Sequence, residues 1–147
     1  MIQQPPMHPL SETDAIAFYA DVLKGLGMPP TYNRMRFLTA WRQAEGGRAT
    51  WNPFNTTWIG GASGMFNPAG VRHYPTREAG LHATVSTMRL RYYPDLRERL
   101  QRDDPAELVA ESPNLTTWGT GHGVARVLAG NASVIPYRSP LWASGGV

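Results

Sequence analysis

Apolar residues recur at helical spacing along the first third of the chain. Ser11-Glu12-Thr13-Asp14 reads as a capping box, and behind it Ile16, Tyr19, Leu23 and Leu26 fall on one stripe. Gly25 and Gly27 end that helix, and Pro29-Pro30 blocks its continuation. A second helix starts between Thr31 and Asn33. Its Leu38, Trp41 and Glu45 stand at i, i+3 and i+7 on one face, while Arg36, Arg42 and Gln43 lie around the other side. Glu45 is thus a carboxylate in line with an apolar stripe, at the point where Gly46-Gly47 stops the helix.

Beyond it the helical period is lost. "TTWIGG" and "GVRHY" are β-like runs joined by Gly60, Gly61, Gly64, Asn67, Pro68 and Gly70, which predicts irregular chain with a short hairpin. Thr76 caps a third helix reaching about Arg91, with Leu81, Val85, Met88 and Tyr92 as its buried stripe. "YYPDLRERLQR" supplies a short helix with Leu96 and Leu100 inward. Asp104-Pro105-Ala106-Glu107 combines an N-cap, a proline at the first position and a glutamate, and so starts another helix, halted by Ser112-Pro113. "TTWGTGHG" reads as a glycine-bearing loop and "VARVLAG" as a last helix. The expected architecture is one mainly α (α+β) domain over residues 1–147. It has about six helices, a short β-hairpin or irregular loop region around residues 50–75, and extended arms at 1–10 and 131–147, both proline-bearing.

Composition narrows the partners. Of 147 residues, 41% are apolar and 17% charged, as in a globular chain. The net charge of +3 favours an anionic surface such as a bacterial wall. The arginines are scattered and no cluster pairs with an aromatic stacking platform, so a nucleic-acid partner is not expected. The absence of cysteine excludes disulfides and thiolate metal sites, and His8, His73, His82 and His122 show no paired ligand spacing. No metal and no cofactor are expected. No apolar run approaches a membrane span, and "MIQQPPMHPL" has neither the basic leader nor the apolar core of a signal peptide.

The chemistry gathers around Glu45. Burial at a helix end favours the protonated form of a carboxyl group, and a glutamic acid that keeps its proton can donate it to a leaving oxygen. The residues that follow suit a sugar. Asn52, Asn55, Thr56 and Thr57 can bond hydroxyls and amides, and Trp51, Phe54, Trp58 and Tyr74 offer flat apolar faces. The plainer reading is that Glu45 pairs with Arg48 or Arg72 and ties loop to helix. The other acids are explained by capping or solvated faces, Trp118 as a core anchor, and His73 and His122 as loop hydrogen-bonders.

Glu45 at a helix end, then N-P-F-N-T-T, then "GVRHYPTREAG" and "SPNLTTWGTG", resembles the lysozyme-like peptidoglycan-cleaving domains of phage proteins. The layout is similar to that of lytic transglycosylases and autolysin glucosaminidases. The resemblance covers about residues 37–128. It implies Glu45 as catalytic acid, Asn55, Thr56 and Thr57 lining the cleft, and Tyr74 near the reacting sugar. No Asp or Glu stands between Gly46 and Arg77. A retaining glycosidase needs a second carboxylate about 5 Å from the first, and an inverting one about 6.5–9.5 Å away. Glu78 is the next acid along the chain. Lytic transglycosylases work with one carboxylate, although the glutamate-serine pair and the "GLMQ"-type run of many of them are missing here. The function implied is cleavage of peptidoglycan glycan strands for phage entry or lysis, by an enzyme carried in the virion or released at the host wall. The alternatives are a non-catalytic virion or wall-binding protein on the same fold, and a soluble cellular protein in which Glu45 is a structural ion-pair partner.

Overall fold

The computed structural model describes residues 10–130; the two expected arms lie outside the described residues, apart from Leu10. Within them the chain is mainly helical, with one two-stranded antiparallel sheet. The helices are α1 (Glu12–Gly25), α2 (Tyr32–Glu45), α3 (Arg77–Met88), α4 (Pro94–Gln101), α5 (Ala106–Val109), α6 (Asn114–Trp118) and α7 (Gly123–Gly130). Strands β1 (Gly64–Met65) and β2 (Arg72–His73) pair Gly64 with His73 and Met65 with Arg72. No described helix is long and apolar enough to cross a membrane.

Local chemistry sets the starts of the long helices. Ser11, Thr31 and Thr76 each accept a bond from the backbone N–H three residues on, satisfying one orphan donor of α1, α2 and α3. Helix α2 is central and packs against α1, α5 and α7. Its Met35, Phe37, Leu38 and Trp41 are fully buried with Phe18, Leu23, Phe54, Met88, Leu96, Leu100 and Leu115. Arg34 is also buried, and it donates to the carbonyls of Pro29 (2.9 Å), Leu100 (2.8 Å) and Gln101 (3.1 Å). It thereby satisfies carbonyls at the C-terminal end of α4, which would otherwise lose water without a partner.

The structure departs from expectation in four places. Helix α3 stops at Met88, and its most buried residues are Gly80, Ala83, Thr84, Thr87 and Met88, with Leu81 and Val85 only half-buried and Tyr92 exposed beyond its end. The small face is inward because the loop after α2 lies against it: a Cβ on Gly80 would stand 2.1 Å from the Trp51 carbonyl oxygen. The run "GVRHY" contains β2, but "TTWIGG" forms no strand and instead turns, Ala62 N–H bonding the Ile59 carbonyl at 3.0 Å. Asp104 does not cap α5; its carboxylate takes a bond from Arg102 at 2.9 Å, and α5 ends at Val109, before Ser112-Pro113. Part of "TTWGTGHG" is helical, as α6, which brings the helices among the described residues to seven.

Candidate functional site

Glu45 is the last residue of α2. Gly46 follows in the left-handed region at φ 63°, and its N–H bonds the Arg42 carbonyl at 2.8 Å, so the helix ends there and leaves the carboxyl group half-buried. Two loops reach it. The side-chain amide of Asn55 donates to Glu45 Oε1 at 3.0 Å and to the Glu45 carbonyl at 3.0 Å. The hydroxyl of Thr120 donates to Glu45 Oε2, and Thr120 Oγ1 accepts from Trp41 Nε1 at 3.0 Å. Trp41, one helical turn before Glu45, thus fixes through Thr120 the carboxyl group that closes its own helix.

Both loops are tightly built. In the first, a Cβ on Gly47 would stand 2.0 Å from the Pro53 carbonyl oxygen, so only glycine allows the loop to close on itself. Trp51 (φ 51°) and Asn55 (φ 58°) are left-handed, and asparagine is among the few side chains that tolerate this. That conformation accompanies the turn that delivers the Asn55 amide to Glu45. In the second loop, Gly119 (φ 107°) and Gly121 (φ 58°) flank Thr120, whose N–H bonds the Leu115 carbonyl at 2.9 Å. Trp118 joins the two. Its Nε1 donates to the Phe54 carbonyl at 2.8 Å, and the Trp118 and Phe54 rings each lie 4.7 Å from that of Trp41.

The other candidates divide by burial. Asn52 is fully buried; its Nδ2 donates to the carbonyls of Thr56 and Arg72, both at 2.8 Å, and its Oδ1 accepts from Thr56 N–H at 2.9 Å. Thr56 is buried with its hydroxyl 2.5 Å from that of Thr87, which donates to the Ala83 carbonyl. Tyr74 is fully buried and its hydroxyl donates to the Trp58 carbonyl at 2.5 Å. Burial pushes that hydroxyl up to about 12, against the opposing pull of Arg72. These three residues, expected to touch substrate, spend their polar atoms on shaping the loop. Asn55, Thr57 and Trp58 keep exposed surface. Trp58 meets the edge of His82, with ring centroids 6.3 Å apart, and borders an open groove of about 390 Å³ with Thr57, Ile59, Gly60, Thr87 and Leu90.

Glu45 makes no ion pair among the described residues, so neither Arg48 nor Arg72 is its partner. Glu78 is exposed in the first turn of α3. Asp21, Asp95, Glu98, Asp103, Asp104 and Glu107 are committed to arginine or lysine partners. His73 Nδ1 accepts from Thr50 N–H at 3.0 Å, a loop hydrogen bond as expected. No cluster of three or more potential metal ligands occurs among the described residues. Thr120 is the site residue that sequence reasoning missed. Its one signal is a hydroxyl set between two glycines in W-G-T-G.

No family model matches the chain, and no curated protein or solved structure matches it.

Proposed function

We propose that this chain is a phage-associated enzyme with a lysozyme-like fold that cuts the glycan strands of peptidoglycan, using Glu45 as general acid and then base. One observation carries the reading. Both carboxyl oxygens of Glu45 are held by neutral donors from two rigid loops, with no cation paired to them among the described residues. A paired arginine would hold a carboxylate in its ionised form. An amide and a hydroxyl fix its orientation without a full opposing charge, and the Thr120 hydroxyl can turn from donor to acceptor when Oε2 carries the proton. Asn55, Thr57 and Trp58 line the substrate side, while Asn52, Thr56 and Tyr74 keep the loop in shape.

The isolation of Glu45 favours the lytic transglycosylase route over a two-carboxylate hydrolase. Glu45 protonates the leaving glycosidic oxygen while the substrate's N-acetyl group assists departure. The carboxylate then takes the proton of the sugar's 6-hydroxyl as that oxygen closes a 1,6-anhydro ring. The muramidase route needs a second carboxylate, and Glu78, the next acid along the chain, is the candidate to supply it. The enzyme acts at the host wall, either carried with other virion proteins or released during lysis. Neither a cofactor nor a metal takes part.

The test is Glu45→Gln. Glutamine can accept from Asn55 through its carbonyl and donate to Thr120, so the melting temperature should hold while clearing of purified actinobacterial walls stops. Anhydro-muramyl ends in the wild-type products, read by mass spectrometry, establish the transglycosylase route; reducing ends establish hydrolysis. A wild-type protein that binds walls without cutting them would instead be a virion structural or wall-binding protein.

A further inference from the structure

His73 holds the loop that carries Asn55, and it does so in one protonation state. Its Nδ1 accepts from the Thr50 N–H at 3.0 Å. A backbone N–H only donates, so Nδ1 is bare and the ring proton of the neutral imidazole sits on Nε2. Thr50 is gripped on its other side too, its carbonyl accepting from the Tyr74 N–H at 2.9 Å. From there hydrogen bonds step toward the acid. The carbonyl of Ala49, beside Thr50, accepts from the Asn52 N–H at 3.1 Å, and the Asn52 carbonyl accepts from the Asn55 N–H at 3.3 Å. The Asn55 side chain then reaches Glu45 Oε1. Trp51, directly after Thr50, is held in the left-handed region at φ 51°, which a tryptophan adopts where its surroundings enforce it.

Further bonds tie the same loop to β2. Asn52 Nδ2 donates to the Arg72 carbonyl at 2.8 Å, and the Arg72 N–H donates to the Thr56 carbonyl at 3.3 Å. Those bonds use backbone and amide groups, which keep their donors and acceptors in mild acid. His73 differs. When Nδ1 takes a proton from water, the imidazole becomes a cation and presents an N–H to the Thr50 N–H. Water can reach it, because the ring is half-buried and Gly64, its cross-strand partner, has no side chain to lay over it. Phe66 meets the imidazole at 79° with ring centroids 5.3 Å apart, which fixes the plane of the ring. The titratable and charged groups on the surrounding elements are Glu45 and Arg48 at the start of the loop, Arg72 beside His73, and Arg77, Glu78 and His82 on α3; residues 59–71 carry none. Among the described residues no carboxylate pairs with the imidazole. We infer that neutral His73 is a positioning residue for Glu45, and that its protonation releases Thr50, loosens the turn through Asn55 and slackens the tether on the acid. The consequence for catalysis rests on the peptidoglycan reading above; the latch between His73 and Thr50 does not.

The isotope-labelled full chain is followed by NMR from about pH 8 to about pH 5, the range in which histidine changes charge. The ring nitrogen resonances of His73 give its tautomer and charge, and the Thr50 and Asn55 amides report the loop. At the alkaline end the Nε2–H tautomer is expected, with the Thr50 amide protected from exchange. As His73 takes its proton, both amides should shift along the same curve, and the protection of Thr50 should fall about tenfold. His73→Asn offers an acceptor that does not titrate and should keep Thr50 protected throughout; His73→Phe keeps a flat ring without an acceptor and should leave it unprotected throughout. Wall clearing should show a step with the midpoint of the Thr50 shift, which His73→Asn lacks. An Nδ1–H tautomer at the alkaline end overturns the inference, as does a Thr50 amide indifferent to the titration of His73. If His73→Phe fails to fold, wild type against His73→Asn still decides. If the amides follow His73 while walls stay intact at every pH, the latch stands and the catalytic reading falls. If wild type and His73→Asn clear walls with one acid profile, His73 positions nothing and the catalytic reading stands.

Discussion

Replacing Thr120 by valine keeps the shape of the side chain and deletes one hydroxyl that serves two partners. Trp41 is fully buried, and its indole N–H has Thr120 Oγ1 as acceptor. Leaving that donor without a partner costs about 1–3 kcal/mol. The second loss, the bond to Glu45 Oε2, is softened because the carboxyl group is half-buried and water can replace the hydroxyl. A total of about 2 kcal/mol follows, which for a chain of 147 residues lowers the melting temperature by roughly 6 °C. Thr120→Ser keeps the hydroxyl and loses one half-exposed methyl, so it should cost under about 1 kcal/mol. Scanning calorimetry on the two variants isolates the hydroxyl. Wall clearing is the second readout: with one tether gone, Glu45 samples other rotamers, and the rate should fall at least about tenfold in Thr120→Val. Valine and serine variants melting within about 1 °C of each other would refute the Trp41–Thr120–Glu45 chain. A destabilised valine variant with full activity would confine Thr120 to a structural part.

Gly47→Ala should destabilise by more than Gly46→Ala in urea titration, because its Cβ would stand 2.0 Å from a backbone oxygen, whereas Gly46 has open space and pays only about 1–2 kcal/mol for its left-handed backbone. Asn55→Ala and Asn55→Gly both remove the tether on Glu45 and should lose activity alike, but glycine accepts φ 58° and should melt at the higher temperature; equal melting would show that the backbone there is not strained. The fully buried Tyr74 hydroxyl holds its proton more tightly folded (about 12) than unfolded (about 10). Its contribution to stability is whole below pH 10 and is lost as pH rises from 10 to 12, to the extent of about 2 kcal/mol. Burial also raises Tyr19 and Tyr93, which add to the same alkaline loss, so Tyr74→Phe should make the fall in urea stability across that window shallower without abolishing it.

The elements that sequence reasoning placed well are those whose signals are local. Ser11, Thr31 and Thr76 each announce a helix by a hydroxyl that can reach an N–H three residues away, and all three do so. The stop at Gly46 needs nothing beyond residue 47 to be understood. What failed depends on neighbours distant in sequence. The apolar stripe of α3 pointed to Leu81 and Val85, but the loop carrying Trp51 fills the space above Gly80 and turns the small residues inward. Asp104 is the exception, lost to a near neighbour: its carboxylate bonds Arg102, two residues before it, instead of capping α5.

The same division runs through the site. Glu45 was legible because a lone acid on an apolar stripe is anomalous within its own helix. Asn52, Thr56 and Tyr74 are polar residues in a polar loop, and nothing in their order distinguishes an atom facing a ligand from one consumed by a carbonyl. That distinction comes from the three-way closure of residues 52, 56 and 72, and from the hydroxyl of Tyr74 reaching back to residue 58. Thr120 is the extreme case. It is 75 residues from the acid it orients, and its role exists only because α7 packs α2 closely enough that Gly123 would place a Cβ 3.2 Å from that of Ala44. Glycine at 123 admits the α7 end to the α2 terminus, and the W-G-T-G turn then has one hydroxyl in reach of Glu45. A larger residue at 123 should therefore damage the site through distance rather than chemistry, lowering activity in Gly123→Val with Glu45, Asn55 and Thr120 all still present.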